Sequence, residues 1–521
     1  MTKKPTRVNY WDFLYFNGDI HTLDEKMPRA SWMVVHGERI SILGNDSIPD
    51  NPVRQKLDLK GKTLIPGFID CHTHLFAYGI ARAFWVYLGK TKTRREAAES
   101  INKHASEVPQ GEWVVAYYWD ESRWDEPVLL NREILDEACP SHPVYAIRVD
   151  GHLVAVNSKA LQLLNGQLSE LTEKEKAEAS QGILRDIEID RKQFFPPPSK
   201  ILRGIERGCF EAARLGITTA HDMVSEELLR FYFKAEKKRL LSIRICANFP
   251  PTVLPAVEKI GINSSYGSNK LRMGGLKLFY DGSIGARTAL VSEDYDDMPG
   301  ERGLIFTPPE EFRSYLSKAI EAGIQPVVHA IGDIAIGDVL KELAAYEERI
   351  EELRPRIEHV EMVQDSHVDE AARLKIIFSM QPNFNRWALP GGLYETRLGE
   401  RRTRQMNSFS KVLQGKVRLA FGSDGMPPGP LLGVHLAVNH PVKEFSLSVG
   451  EAIRSYTSEG AYSEFQEREK GTLSAGKLAD FVVLSNNPWE NPEKINEITV
   501  ELTIVGGEIV YQHPDTTLAF L

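Results

Sequence analysis

The stretch Pro66-Gly-Phe-Ile-Asp-Cys-His72-Thr-His74 decides the fold predicted for this chain. It closes an apolar run and ends in two histidines separated by one residue. Side chains alternate between the faces of a strand, so His72 and His74 point the same way if this segment is extended. Two neutral imidazoles side by side at a strand end can bind one divalent ion. A lone His-X-His pair is weak evidence for a metal site, so the prediction depends on finding further metal ligands elsewhere in the chain.

Strand-like and helical segments alternate through the middle of the chain, which predicts a distorted (β/α)8 barrel of the TIM type. The gap after the first strand is too long for one helix, so residues 76–200 are predicted to be an insertion within a barrel domain of residues 67–473. The strand candidates are Leu64–Asp70, Ile217–His221, Ser242–Ala247, Gly275–Phe279, Gln325–Val328, Arg356–Glu358, Ile376–Met380 and Arg418–Gly422.

Both ends of the chain consist of short β-like runs with turns. In the N-terminal part, Asn17-Gly18 follows an apolar run and is typical of a hairpin turn. The C-terminal part has the same style, with Gly506-Gly507 between two apolar runs. We therefore predict that residues 1–66 and 474–521 form one composite β-sandwich domain, and that the fold class is α/β.

Composition limits the classes of function. The chain has 521 residues with 42% hydrophobic and 26% charged, as in globular proteins, and a length that predicts two or three domains. A net charge of -9 argues against a nucleic-acid or anionic-membrane partner. Four cysteines lack CxxC spacing, which argues against a thiolate zinc site. No segment is apolar enough for a signal peptide or membrane span, so a cytoplasmic location is expected.

Four later strands carry or end on possible metal ligands. Lys277 lies inside an apolar strand, His329 and His359 end the next two, and Asp424 follows the last. Each has a simpler explanation: a core histidine, a turn aspartate, or a lysine that reaches solvent. All of them, however, fall where a barrel places its chemistry, at the C-terminal rim. The joint pattern therefore predicts a metal site.

Lys277 is informative because an ammonium group cannot bind a cation. A buried amine with a depressed pKa can add carbon dioxide and become a carbamate, which is an anionic oxygen donor. We predict one site made of His72, His74 and Asp424, and a second made of His329 and His359. Carbamylated Lys277 would join the two, and one or two zinc ions would activate a hydroxide.

At this point the chain resembles the amidohydrolase superfamily, and most closely the branch of N-substituted formamide deformylases and related metal-dependent hydrolases. The resemblance implies a distorted barrel with a composite β-sandwich, one or two zinc ions, and the same six ligands: His72, His74, Lys277, His329, His359 and Asp424. The matching motifs, which span nearly the whole chain, are Pro66-Gly-Phe-Ile-Asp-Cys-His-Thr-His, Asp150-Gly-His-Leu-Val-Ala-Val-Asn, Gly216-Ile-Thr-Thr, Lys277-Leu-Phe-Tyr-Asp-Gly-Ser, Val328-His-Ala-Ile-Gly-Asp-Ile-Ala, Arg356-Ile-Glu-His, Gly422-Ser-Asp-Gly and Gly471-Thr-Leu-Ser-Ala-Gly-Lys-Leu-Ala-Asp.

The resemblance does not fix the substrate, and four further residues are candidates for contacting it. His152 either meets the substrate or assists proton transfer, or it belongs to a structural turn. Asp281 and Arg287 either line the pocket or pair with each other, and Gln381 follows the seventh strand.

The leading hypothesis is a zinc-dependent hydrolase of a non-peptide carbon–nitrogen bond in an amide, formamide or cyclic amide, with Asp424 as the catalytic proton carrier. A lactone or ester hydrolase would use the same residues, and a non-catalytic scaffold is the alternative from another class. The expected partners are a small-molecule substrate and a second copy of the chain in a homodimer.

Overall fold

The computed structural model describes residues 11–149, 151, 153–168, 171–185, 187, 189 and 191–521. Among them, no helix is both long and apolar enough to cross a membrane. The strands are β1 (Trp11–His21), β2 (Arg29–His36), β3 (Arg39–Gly44), β4 (Val53–Asp58), β5 (Thr63–Pro66), β6 (Phe68–Thr73), β7 (Val86–Tyr87), β8 (Val114–Trp119), β9 (Val144–Arg148), β10 (Leu153–Val156), β11 (Ile183–Arg185), β12 (Ile217–Met223), β13 (Arg244–Phe249), β14 (Leu271–Phe279), β15 (Pro326–Ala330), β16 (Arg356–His359), β17 (Ile377–Met380), β18 (Arg418–Phe421), β19 (Phe481–Leu484), β20 (Val500–Val505) and β21 (Glu508–Gln512). The α-helices are α1 (Leu75–Phe84), α2 (Arg94–Ala105), α3 (Arg132–Ala138), α4 (Ser158–Leu164), α5 (Glu173–Ser180), α6 (Pro198–Arg214), α7 (Glu226–Lys237), α8 (Leu254–Ile260), α9 (Pro309–Glu321), α10 (Asp333–Ala344), α11 (Glu347–Leu353), α12 (Asp365–Leu374), α13 (Leu393–Thr403), α14 (Phe409–Gln414), α15 (Pro430–Val438), α16 (Val449–Ser455) and α17 (Ser458–Ser463).

Eight parallel strands form the central sheet in the order β6-β12-β13-β14-β15-β16-β17-β18. Its two ends meet, because the backbone N–H groups of Ser423 and Asp424 both donate to His72 O, at 3.1 and 2.7 Å. A Cβ atom at Gly422 would lie 2.4 Å from His72 N, so this approach requires a glycine. The predicted (β/α)8 barrel fold is confirmed, with a sheet that is nearly closed.

One predicted strand is divided in two. The sequence predicted a single strand over Leu64–Asp70, but β5 belongs to a sheet of the chain ends while β6 opens the barrel. The break falls at Gly67, where a Cβ atom would lie 2.2 Å from the Thr218 side chain. The chain therefore passes from one sheet to the other at Gly67, where any side chain would collide with Thr218.

Strands from both ends of the chain share one eight-stranded sheet, in the order β21-β20-β19-β5-β1-β2-β3, with β4 paired to β1. Buried residues of both ends form one hydrophobic cluster, for example Tyr15 with Phe481, whose ring centroids are 4.9 Å apart. The domain bounds 1–66 and 474–521 stay a prediction.

The predicted hairpin at Asn17-Gly18 is wrong. Strand β1 continues through both residues, and Asn17 has a positive φ of 56° where the register with β2 shifts. Asn17 Nδ2 donates to Asp58 Oδ1 at 2.9 Å, and Gly18 packs so closely that a Cβ atom would lie 2.4 Å from Leu59. The pair forms a bulge in a long strand, because the local turn preference is outweighed by packing against the β4–β5 segment.

Residues 76–208 form a separate compact unit, to which the predicted insertion of residues 76–200 belongs. Its five strands have the order β11-β10-β9-β8-β7. Two hydrophobic clusters pack on them, one around Trp119 and one around Tyr145. Asp150 and His152 of the motif in this unit lie outside the described residues.

Candidate metal centre

The C-terminal edge of the barrel collects the six predicted ligands. His72 lies on β6, Lys277 on β14, His329 on β15 and His359 on β16, while His74 and Asp424 lie just beyond β6 and β18. The four imidazoles form a continuous series. Its ring centroids are 5.9 Å apart from His74 to His72, 4.7 Å from His72 to His359, and 4.4 Å from His359 to His329.

His72, His74 and Asp424 form a group that fits a metal ion. Asp424 Oδ1 lies 3.1 Å from His74 Nε2 and 3.6 Å from His72 Nε2. One ligand atom from each residue lies within 4.8 Å of the others. The His72 side chain is buried, whereas that of His74 is 47% exposed. The group therefore faces the open side of the barrel.

Two of the six predicted ligands have backbone conformations that are rare for residues other than glycine. His359 has a φ of 75° and Asp424 a φ of 55°. Such left-handed conformations cost free energy and cluster at functional sites. Each stands at the end of a strand, so the strained turn directs a polar side chain toward the mouth of the barrel.

Hydrogen bonds select the tautomer of three of the histidines. Each imidazole donates one N–H to an oxygen, which leaves the other ring nitrogen with a free lone pair. The three bonds are His72 Nδ1 to Glu358 Oε2 at 2.5 Å, His329 Nε2 to Gly282 O at 2.9 Å, and His359 Nδ1 to Gln381 Oε1 at 2.8 Å. The nitrogens with a free lone pair are thus His72 Nε2, His329 Nδ1 and His359 Nε2, and each of them can bind a metal ion.

Electrostatics favour the ligand forms of His72, His329, His359 and Asp424, but not that of His74. Burial lowers the pKa of His72, His329 and His359 well below the ordinary value, so these rings are neutral. Burial would raise the pKa of Asp424, but the hydrogen bond with His74 and the neighbouring cationic groups lower it, so the carboxylate is ionised. Burial would lower the pKa of His74, but Asp424 raises it.

Lys277 stands out because its amine is buried without a hydrogen-bond partner among the described residues. Burial lowers the pKa of Lys277 to about 8, although Glu358 and Asp424 act against the shift. Its Nζ atom lies over the ring of Phe279, 4.7 Å from the ring centroid. An unpaired buried amine costs free energy, so a partner for this atom would stabilise the site.

The structure gives the candidate substrate contacts other partners. Asp281 accepts backbone N–H groups from Leu290, Ile331 and Gly332 at 2.9–3.0 Å, which ties the loop after β14 to the loop after β15. Arg287 forms two hydrogen bonds with Asp297, at 2.9 and 2.7 Å. Gln381 is bound to His359, as described above. His152 lies outside the described residues.

Sequence reasoning assigned no role to Arg356 and Glu358, although both belong to the motif Arg356-Ile-Glu-His. Both are fully buried on β16, and Arg356 Nε donates to Glu358 Oε1 at 2.8 Å. Their alternation with an apolar residue inside a core strand, directly before His359, was the pattern that could have revealed them. Two charged side chains on the inner face of a barrel strand need buried partners.

The donor set fits a divalent metal ion. It offers neutral imidazole nitrogens with fixed tautomers, an ionised carboxylate, and a buried amine that lacks a partner. Such nitrogen and oxygen donors suit zinc and other first-row ions.

The profile of the amidohydrolase family matches residues 55–511. The chain belongs to the amidohydrolase family. It is 28% identical to an uncharacterised metal-dependent hydrolase from Pyrococcus horikoshii whose crystal structure is known, with a TM-score of 0.77 over 92% of this chain and 98% of that one.

Two curated relatives also cover nearly the whole chain. Protein LONG AFTER FAR-RED 3 of Arabidopsis thaliana is 28% identical over 96% of this chain and 91% of its own length. The N-substituted formamide deformylase of Arthrobacter pascens is 23% identical over 96% of this chain and 98% of its own length. This member of the amidohydrolase family is thus a hydrolase, and the family together with the residue groups supports a divalent metal at the barrel edge.

Proposed function

We propose that this amidohydrolase hydrolyses a carbon–nitrogen bond in a small non-peptide amide, formamide or cyclic amide, with zinc as the metal. The observation that carries the proposal is the series of imidazoles with fixed tautomers near the amine of Lys277, which has no hydrogen-bond partner in the part of the chain that the structure describes. The formamide deformylase, which covers nearly the whole chain, supports the choice of bond.

The proposed ligands divide into two groups. His72, His74 and Asp424 would hold one ion, and His329 and His359 would hold a second. When bound, zinc polarises a carbonyl oxygen and lowers the pKa of a water molecule to about 7.

Lys277 is the proposed bridge between the two groups. Its neutral amine would attack carbon dioxide, forming an N–C bond and releasing one proton, and the resulting carbamate would supply two anionic oxygens. The buried position of this amine, which has no hydrogen-bond partner among the described residues, supports this modification, because the carbamate oxygens could bind the metal ions that the neighbouring histidines would hold.

Asp424 is the proposed catalytic residue for proton transfer. An amide needs a proton on its nitrogen before the bond breaks, because an amine anion is a poor leaving group. Asp424 is ionised and faces the open side of the barrel beside His74, so it would accept a proton from the attacking water and return it to the leaving nitrogen. Contacts of His152, Asp281, Arg287 and Gln381 with the substrate, the homodimer and the cytoplasmic location stay predictions.

A paired substrate screen tests the proposal. Zinc-loaded protein is incubated with N-formyl amines, N-acyl amines, cyclic amides, and the lactones and esters that match them in size. We expect amine release from at least one carbon–nitrogen substrate, its loss after treatment with a chelator, and its return with zinc. Hydrolysis of lactones or esters alone would transfer the assignment to carbon–oxygen bonds.

A histidine variant provides the control for that screen. His329→Ala removes a proposed ligand, whereas His513→Ala removes a histidine just beyond β21. We expect the first to lose zinc and activity together and the second to keep both. Full activity of His329→Ala would contradict the proposed site.

A further inference from the structure

A series of charged side chains runs through the interior of the barrel, below the proposed metal ligands. It joins six residues from β6, β12, β16 and the segment after α17, none more than 5% exposed: His72, Glu358, Arg356, His221, Glu464 and Lys470. We call it the buried charge network. Barrel interiors are ordinarily filled by Val, Ile and Leu, so a layer of charges needs an explanation.

The contacts are continuous from one end to the other. At the outer end, Glu464 Oε1 lies 2.7 Å from Lys470 Nζ and 3.5 Å from His221 Nε2. The other ring nitrogen of His221, Nδ1, lies 2.7 Å from Arg356 Nη1. Glu358 completes the series, with Oε1 2.8 Å from Arg356 Nε and Oε2 2.5 Å from His72 Nδ1.

Each cation–anion pair of the network is followed by a neutral imidazole. Burial would raise the pKa of Glu464, but Lys470 and His221 lower it to about 2, so Glu464 is ionised. Burial lowers the pKa of His221, so that ring is neutral. Arg356 can only donate, and its bond to His221 Nδ1 therefore places the proton of the imidazole on Nε2, facing Glu464. The Nε2 proton of His221 is thus on the side of Glu464 Oε1, but at 3.5 Å these two atoms form no hydrogen bond, so this is the weakest contact of the series.

The network is a poor candidate for a second metal centre. Atoms of His221, Cys246 and Glu464 lie within 4.8 Å of one another, which is a spacing that a metal ion could use. However, the ammonium of Lys470 is already on Glu464 Oε1, and the Arg356 guanidinium takes the lone pair of His221 Nδ1. Two cations therefore occupy the positions that a metal ion would need.

Stability alone does not account for the network either. Burying paired charges costs desolvation free energy, and apolar replacements of similar size are often neutral or stabilising. The inner end of the series offers a better reason. Glu358 accepts a hydrogen bond from the Nδ1–H of His72, so the lone pair of His72 Nε2 is free, 3.6 Å from Asp424 Oδ1. Partners of this kind fix the tautomer and raise the basicity of a metal-binding histidine.

We propose that Arg356, His221, Glu464 and Lys470 are positioning residues that hold Glu358, and through it the metal-binding tautomer of His72. The inference rests on the proposed role of His72 as a ligand. Arg356 fixes the carboxylate of Glu358 and also donates to Cys71 O, beside His72, at 2.8 Å. Lys470 also donates to Thr219 Oγ1 at 2.8 Å, which fastens the far end to β12.

Zinc affinity tests the proposal, measured by competition with a chromophoric chelator on the full-length protein. Arg356→Met is compared with Arg244→Met, because Arg244 forms an equally buried ion pair with Asp480, at 2.6 and 2.7 Å, outside the network. Both variants lose a buried pair, but only the first loses support for Glu358. We expect zinc to bind Arg356→Met about 10–100-fold more weakly and Arg244→Met as it binds the wild type.

Two further measurements keep the proposal falsifiable if Arg356→Met does not fold. Lys470→Met changes the far end of the network and should weaken zinc binding several-fold. Imidazole ¹⁵N spectra of the metal-free protein should show His72 protonated on Nδ1 in the wild type. In Lys470→Met, and in Arg356→Met if it folds, the same spectra should show a mixture of the two His72 tautomers. Wild-type zinc affinity with an unchanged His72 spectrum in the network variants would overturn the inference alone. A wild-type protein that binds no zinc would overturn both this inference and the proposed function.

Discussion

Ser423 Oγ donates a hydrogen bond to Asp70 Oδ2 at 2.5 Å across the seam between the last and the first strand of the barrel. The backbone N–H of Ser423 donates to the other oxygen of the same carboxyl group at 2.9 Å. Asp70 precedes His72 by two residues, and Ser423 directly precedes Asp424. This pair therefore sets the separation between the ligands that come from opposite ends of the barrel sequence.

Ser423→Ala should loosen that seam. The buried Asp70 would lose one donor, which should lower the free energy of unfolding by about 1–3 kcal/mol in urea denaturation. Displacement of Asp424 should lower kcat by up to about 100-fold. Ser410→Ala, which removes an exposed hydroxyl bound to a backbone carbonyl, is the matched control. Unchanged kcat in a folded Ser423→Ala protein would show that the seam does not position Asp424.

Asp281→Asn separates a structural role of Asp281 from a substrate contact. Asp281 Oδ2 accepts two backbone N–H groups, so an amide nitrogen at that position would face donors. We expect the free energy of unfolding to fall by about 1–3 kcal/mol. We also expect KM to change by the same factor for substrates of different size. A KM that rises for one substrate class at unchanged stability would favour the substrate contact.

Much of the barrel could be predicted from the sequence because its strands are short apolar runs that end on polar residues. His329 ends such a run and Asp424 follows another within three residues, so the strand that precedes each of them also fixes its place at the rim. The two errors have a common origin. The apolar run around Gly67 favours a continuous strand, and Asn17-Gly18 favours a turn. Their conformations are set instead by close packing against Thr218 and Leu59, which are distant in sequence.

The ligands of the site were more predictable than the residues that orient them. A histidine after a strand is visible in one segment, but the pairing of Glu358 with His72 joins residues 286 positions apart. The same holds for Gln381 on His359 and for Lys470 at the far end of the buried charge network. Their roles depend on which strands become neighbours, and only the closed barrel determines this.

Replacing Glu464 by Gln should change how the free energy of unfolding depends on pH. The folded-state pKa of Glu464 is about 2, below its ordinary value, so its ionised form stabilises the fold above about pH 4.5. That contribution is lost as the pH falls through the interval from about 4.5 to 2. At pH 7 the free energy of unfolding of the wild type should exceed that of the variant by about 3–5 kcal/mol, because the buried ammonium of Lys470 loses its carboxylate partner. This difference should narrow in acid. Glu107→Gln, at an exposed position, should show no such gap. A gap that is independent of pH would contradict the ionised pair.

Lys277→Ala should abolish activity if the lysine carries a carbamate. Short carboxylic acids such as acetate or propionate should restore part of the rate, because they supply the missing anionic oxygens. Protein loaded with zinc in ¹³C-bicarbonate should show one carbamate carbon resonance that is lost in the variant. Lys416→Ala, at an exposed loop, is the control. No labelled carbon in a fully zinc-loaded protein would exclude the carbamate and leave the hydrolase assignment intact.

The most direct test of the central claim is the rate of amide hydrolysis by zinc-loaded Asp424→Asn, with zinc content measured on the same sample. Asparagine keeps the shape of the side chain and one oxygen but cannot accept a proton. The account predicts a folded protein that retains at least part of its zinc and a kcat lowered by about 10²–10⁴-fold for the amide. A kcat close to that of the wild type, at equal zinc content, would contradict it.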